Sequence, residues 1–222
     1  MAADEARMDY GVEDLKQNMI SLFENRESAD LTLVCGSQTF KIHSVILCPR
    51  STFFRAAFEG GFKEGLAKCI DLPEDDPHLI SKLICYCYTT DYRVDPHTAL
   101  ATNFHAGMYA MAEKFDLKNV KNLAKRKFVT ALHCLEPGFN VATLGDKTLT
   151  RVLEVIPLIY STTLENDRGL RDLVVGHVAR HWHVFLALRQ FKTFMAANTD
   201  FIIDVIEAKE SVCSRCKKDA AR

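Results

Sequence analysis

The chain lacks an excess of charge of either sign. Its 28 Lys and Arg stand against 29 Asp and Glu, a formal net charge of −1. That balance argues against nucleic acid or an anionic membrane as the main partner, because both demand a surplus of cations. No uninterrupted apolar segment approaches the roughly 18 residues that a membrane span requires. Met1 to Gly11 mixes Asp, Glu and Arg with no apolar run, so no signal peptide is expected. No Asn-x-Ser/Thr acceptor for glycosylation occurs. Gly-x-Ser-x-Gly, His-Glu-x-x-His and Gly-x-Gly-x-x-Gly are also absent, and with them the usual marks of a nucleophile elbow, a zinc protease and a dinucleotide site. Gly145-Asp146-Lys147-Thr148 lacks the upstream glycine of a phosphate loop, and its Asp would repel phosphate. The eight His are scattered and form no catalytic constellation. These absences leave no catalytic or cofactor site to single out. Internal repeats are missing too, which excludes a propeller or solenoid as a dedicated binding module.

What is present suffices for a substantial core: 222 residues, 48% of them hydrophobic. Five of the eight cysteines (Cys35, Cys48, Cys69, Cys85 and Cys87) fall among apolar neighbours inside expected strands and helices. There they serve as small hydrophobes, and a secreted disulfide scaffold would be shorter and richer in loops. The cytoplasm or nucleus is the expected compartment.

Val12, Leu15, Met19, Leu22 and Phe23 recur at helical spacing and predict an amphipathic helix over 12–25. Asp30 to Cys35 alternates as a strand, Gly36-Ser37 turns, and Gln38 to Ile42 returns as a hairpin partner. Ser44 and Ser51 are read as helix caps, with Pro49 between them as a stop. Lys68 to Leu72 predicts a third strand. Asp76-Pro77 opens a helix to about Thr89. Thr98 to Phe115 and Leu117 to Leu132 form a helical hairpin with Asp116 read as the cap between them. Beyond Asp146 only helices are expected, over 146–160, 167–182, 184–197 and 200–212, the first kinked or shortened at Pro157. The division is an N-terminal segment over 1–27, a mixed domain over 28–132, a helical extension over 146–212 and a tail over 213–222.

The stretch A-D-L-T-L-V, His43 after the second strand, S-T-F-F-R-A-A-F-E-G-G-F-K-E and the helix ending Y-T-T-D-Y together resemble the BTB/POZ domain. M-A-E-K-F-D-L-K-N-V-K-N-L is similar to that family's later helical pair. The likeness covers about residues 12–132. It implies an α+β fold, a small β-sheet with a helical cluster, here followed by an all-helical extension. It implies a protein-interaction role rather than catalysis. Several family members place Arg directly after the His, facing the Asp of the first strand; this sequence has Ser44.

The resemblance also implies sites. Phe62-Lys63-Glu64, in the loop before the third strand, matches the hydrophobic-x-Glu motif with which BTB adaptors hold a cullin scaffold of a ubiquitin ligase. Ala56, Ala57 and Phe58 match positions lining that contact, and Phe115 matches an aromatic there. Val12, Leu15, Met19 and Leu22 match a helix that builds a symmetric homodimer, whose isologous interface needs an apolar patch. Cys213-Ser214-Arg215-Cys216 is a single C-x-x-C, with His177 and His181 one helical turn apart as further donors. A structural zinc site needs four ligands, so no metal is expected and the two cysteines remain weak candidates. Lys118, Lys121, Lys125, Arg126 and Lys127 read as a solvated helix face, since no aromatics interleave them. The expected function is a dimeric adaptor recruiting an unidentified substrate to a cullin-based ubiquitin ligase. The alternative is a homo-oligomeric scaffold in transcriptional or cytoskeletal assembly without a ubiquitin role. Neither nucleic acid nor membrane is an expected partner.

Overall fold

The computed structural model describes residues 2–61, 63–94, 100–135 and 146–219, with side chains over 11–61, 63–94, 100–135 and 149–210. The chain divides into two compact units. Met1–Val94 with Met111–Leu123 forms the first, and Asp95–Ala110 with Ala124–Arg222 the second.

The first unit opens with helix α1, Ala2–Asn25. Strand β1, Leu31–Cys35, buries every second residue, as its alternation predicts. Gly36 turns the chain at φ +55°, a left-handed geometry that costs glycine nothing. Strand β2, Gln38–Ile42, returns antiparallel with Leu31 opposite Ile42 and Leu33 opposite Phe40. Strand β3, Cys69–Asp71, joins the other edge of β1 in parallel, giving the order β2-β1-β3. Between the strands lie α2 (Ser44–Leu47), α3 (Thr52–Glu59) and α4 (Lys63–Ala67). Helix α5, Pro77–Thr89, starts where Asp76 accepts the His78 amide at 2.8 Å with Pro77 in the first turn. It buries Ile80, Leu83, Ile84 and Cys87. Leu33, Cys35, Phe54, Tyr92 and Phe115 are fully buried in the same unit.

Three local readings need correction. Ser44 does not cap α2; it is the first helical residue, and the Asp30 carboxylate accepts its amide at 2.7 Å. Residues 63–67 form a short helix where a loop was expected. Helices α6, Ala101–Lys114, and α7, Lys118–His133, do meet at Asp116, but Asp116 closes α6 instead of opening α7. It sits at φ +50°. Its amide donates to Glu113 O at 3.1 Å, while that of Leu117 donates to Ala112 O at 2.8 Å. This is the paired-bond C-terminal stop that needs a left-handed residue, which Asp tolerates better than most.

In the second unit, α8 (Asp146–Thr162), α9 (Arg168–Arg180) and α12 (Thr199–Asp219) pack with α8 and α12 each against α9. Val152, Val155, Ile156, Val174, Val178 and Val205 are fully buried. Pro157 does not end α8, which runs on to Thr162. The helix expected over 184–197 is broken into α10, Trp182–Ala187, and α11, Phe191–Ala197, by Leu188 in extended geometry. Asp167 caps α9 by accepting the Gly169 amide at 3.0 Å and the Tyr109 hydroxyl at 2.7 Å. The phenol lies so close that a Cβ on Gly169 would be 2.1 Å from it. Arg171 is buried, its guanidinium 4.5 Å from the centre of the Tyr160 ring, and it donates to the Thr163 carbonyl at 2.8 Å. Tyr160 in turn donates to Asp204, which also holds Arg168 at 2.8 Å.

Candidate functional site

The expected partner-binding residues gather around α3. Ser51 is buried at its start, where its hydroxyl accepts the Phe54 amide at 3.1 Å and donates to the Phe115 carbonyl at 2.6 Å. One side chain thus caps α3 and ties it to the α6–α7 junction. Phe54 stacks on Phe115 at 5.0 Å with the planes 16° apart. Phe53 meets the same ring edge-on at 5.0 Å.

Phe115, expected as an interface residue, is fully buried and presents no surface. It is the floor on which Phe53 rests, and Phe53, 37% exposed, is the aromatic that reaches solvent. Nothing in the sequence distinguishes Phe53 from Phe54; the cap at Ser51 sets the helical phase that sends one inward and the other outward. Ala56 lies three residues on, on the same helix face, and is exposed; Ala57 and Phe58 are half-buried. Glu64 is exposed in the first turn of α4. Helix α4 seats against the end of α3 so closely that a Cβ on Gly65 would stand 2.7 Å from the Phe58 carbonyl. Phe62 lies outside the described residues. The face therefore offers an aromatic and a small residue that admits a close approach, with an exposed acid on the helix that abuts its end.

Helix α1 carries the second expected surface. Its later half packs on α5, with Phe23 and Tyr88 rings 5.3 Å apart. Met19 and Leu22 are half-buried there. Val12 and Leu15, on the same stripe, are 61% and 62% exposed.

At Asp30, the two carboxylate oxygens accept the Ser44 amide at 2.7 Å and its hydroxyl at 2.6 Å. Burial raises the carboxyl, but these hydrogen bonds outweigh it and hold the group below the usual range. Ser44 therefore meets Asp30 with a neutral hydroxyl and a backbone amide, with no cation among the described residues bonded to the carboxylate. The buried His43 spans Tyr88 Oη at 2.7 Å and the Glu27 carbonyl at 2.7 Å, so Nε2 donates to the carbonyl and Nδ1 accepts from the phenol. This histidine is a structural tie.

Among the described residues no three His, Cys, Asp or Glu side chains gather as a metal site. His177 and His181 lie 5.1 Å apart, ring to ring. The side chains of Cys213 and Cys216 lie outside the described residues. Lys121 on α7 pairs with Glu113 at 2.5 Å. No helix among the described residues is long and apolar enough to cross a membrane.

A three-stranded mixed sheet bordered by short helices, with an aromatic-floored helix face, defines a protein-interaction domain. The chain belongs to the BTB/POZ domain family, whose model matches residues 19–132, just over half its length. It is similar to TD and POZ domain-containing protein 4 of Mus musculus, 25% identical over 176 residues, 76% of this chain and 46% of that protein. A BTB/POZ domain-containing protein of Arabidopsis thaliana is 19% identical over 193 residues, 86% of this chain and 82% of its own length. Kelch-like protein 40 of Xenopus tropicalis is 30% identical over 92 residues, 41% of this chain and 15% of that protein. This chain spans a little under half the length of the mouse relative. The Arabidopsis match is longer than the family segment, so that likeness extends beyond the BTB domain into the helical half.

Proposed function

We propose that this BTB protein is a dimeric adaptor that recruits a substrate protein to a cullin-based ubiquitin ligase. In this reading residues 28–132 are the BTB domain, and α1 joins two copies. The helical extension over 146–212, or the tail beyond it, contacts the substrate. No catalysis or cofactor is required, and the protein works in the cytoplasm or nucleus. The observation that carries the proposal is the α3 face: Phe53 exposed on a rigid aromatic floor, exposed Ala56 beside it, and Glu64 on the abutting helix. An exposed aromatic on a buried support is the arrangement of an interface anchor, which loses little entropy on binding. The resemblance at Phe62-Lys63-Glu64 supplies the choice of a cullin.

A second reading is a homo-oligomeric scaffold without a ubiquitin role. It is favoured by Val12 and Leu15 alone, since self-assembly accounts for them and needs no partner at α3. Affinity purification of the tagged chain, wild type and Ala56→Glu, from its own cells separates the two. A cullin recovered with the wild type and lost with Ala56→Glu supports the adaptor. Self-association with no cullin in either sample supports the scaffold.

A further inference from the structure

Three cations converge on one cavity on the flank of α3. The cavity measures about 330 Å³ and is formed by residues 49–52, Arg55, Tyr86 and the α6–α7 junction with the start of α7. Arg50, Arg55 and Lys118 line it, against one carboxylate, Asp116. That carboxylate is engaged, accepting the Thr52 hydroxyl at 2.5 Å. Arg55 is braced, its Nε donating to the Cys48 carbonyl at 3.2 Å. Arg50 and Lys118 are exposed and have no carboxylate partner within ion-pair distance among the described residues. A surplus of cations in a concave site is notable in a chain whose net charge is −1. Concave walls focus the field, and a guanidinium receives a carboxylate through two parallel hydrogen bonds.

The cavity borders the docking face. Thr52 lines it and immediately precedes Phe53, and Asp116 lines it and immediately follows Phe115, the floor under Phe53. An apolar anchor and a cationic pocket therefore lie side by side. We infer that the partner held by the α3 face presents an Asp or Glu side chain next to the patch that covers Phe53, and that this carboxylate enters the cavity between Arg50, Arg55 and Lys118. The inference rests on the adaptor reading and names the chemistry of the partner at that same face.

The test is calorimetric titration of the full chain with a cullin N-terminal domain at low and high salt. The wild type binds, and more weakly at high salt, because the exposed cations are screened. Arg50→Glu combined with Lys118→Glu weakens binding at least about tenfold at low salt, as reversed charges at a contact do. The melting temperature of that double variant stays at the wild-type value, since both side chains are exposed. Arg50→Lys combined with Lys118→Arg, which keeps the charge, binds within about threefold of the wild type. Equal affinity for the wild type and the charge-reversed variant overturns the inference and leaves the adaptor reading standing. Saturation by inorganic phosphate alone at micromolar concentration also overturns it, by assigning the cavity to a free anion. No heat with the wild type removes the adaptor reading and this inference with it.

Discussion

Ser51 bears more of the fold than its size suggests. It is 1% exposed, and its hydroxyl serves two buried backbone groups, the Phe54 amide and the Phe115 carbonyl. Ser51→Ala leaves both without that partner, so a loss of about 1–3 kcal/mol is expected in urea denaturation. Ser51→Thr, which keeps the hydroxyl, is expected to recover most of it. A second buried polar residue sets a pH dependence. His105 is 1% exposed, and burial, with Lys127 adding to it, pushes its pKa down to about 4. The folded chain holds it neutral, whereas the unfolded chain protonates it below about 6.5. The stability it confers is therefore complete above about pH 6.5 and is lost as pH falls toward 4. Urea denaturation of His105→Gln between those pH values is expected to show a shallower decline than the wild type. At this scale much was legible and some was not. Asp76-Pro77 announced a helix start because an acidic cap and a proline act locally. The burial of Phe115 was not legible, because an aromatic at a helix junction can turn to core or solvent and only the Ser51 tie decides. The role of Asp116 was missed because Asp serves both helix starts and left-handed stops, and its φ cannot be read from residue type.

At the level of elements, α1 raises the sharpest expectation. Val12 and Leu15 are exposed on the free part of a helix whose remainder is anchored to α5. Burying each of those side chains fully is worth about 1.5–3 kcal/mol. In a twofold interface each would count twice. Multi-angle light scattering is expected to give a dimer mass for the wild type and a monomer mass for Val12→Glu combined with Leu15→Glu. A monomer for the wild type across a wide concentration range contradicts dimerisation through α1. In the helical half, Gly169→Ala is expected to destabilise by more than 1 kcal/mol, because the new methyl must displace the Tyr109 phenol from its bond to Asp167; thermal denaturation measures it. The hairpin of β1 and β2 was legible in full, since strict alternation and a glycine turn are local signals. The parallel pairing of β3 with β1 was not, because it depends on a long crossover. Nor was the break at Leu188, where neither Gly nor Pro marks the change of backbone.

For the molecule as a whole, the two halves differ in what they reveal. The first carries a chain of motifs whose order and spacing disclose a BTB/POZ domain, and the family model matches that segment. The second has a helical pattern and a sound core but no motif, so its helical character was legible, the break at Leu188 was not, and its purpose was not. Its buried Arg171 and the Tyr160–Asp204–Arg168 cluster tie its helices together. The proposed docking site is the α3 face, where Phe53 and Ala56 reach solvent and the abutting helix carries exposed Glu64. Under that proposal small Ala56 is the position to probe, since a charged side chain there would clash with a closely docked partner and bury an unpaired charge against it. The most direct measurement is calorimetric titration of the purified chain, wild type and Ala56→Glu, with a cullin N-terminal domain. Binding by the wild type, with at least a tenfold loss in Ala56→Glu at an unchanged melting temperature, is the expected result. No heat from the wild type well above micromolar concentration, or equal affinity for the two proteins, contradicts docking at this face.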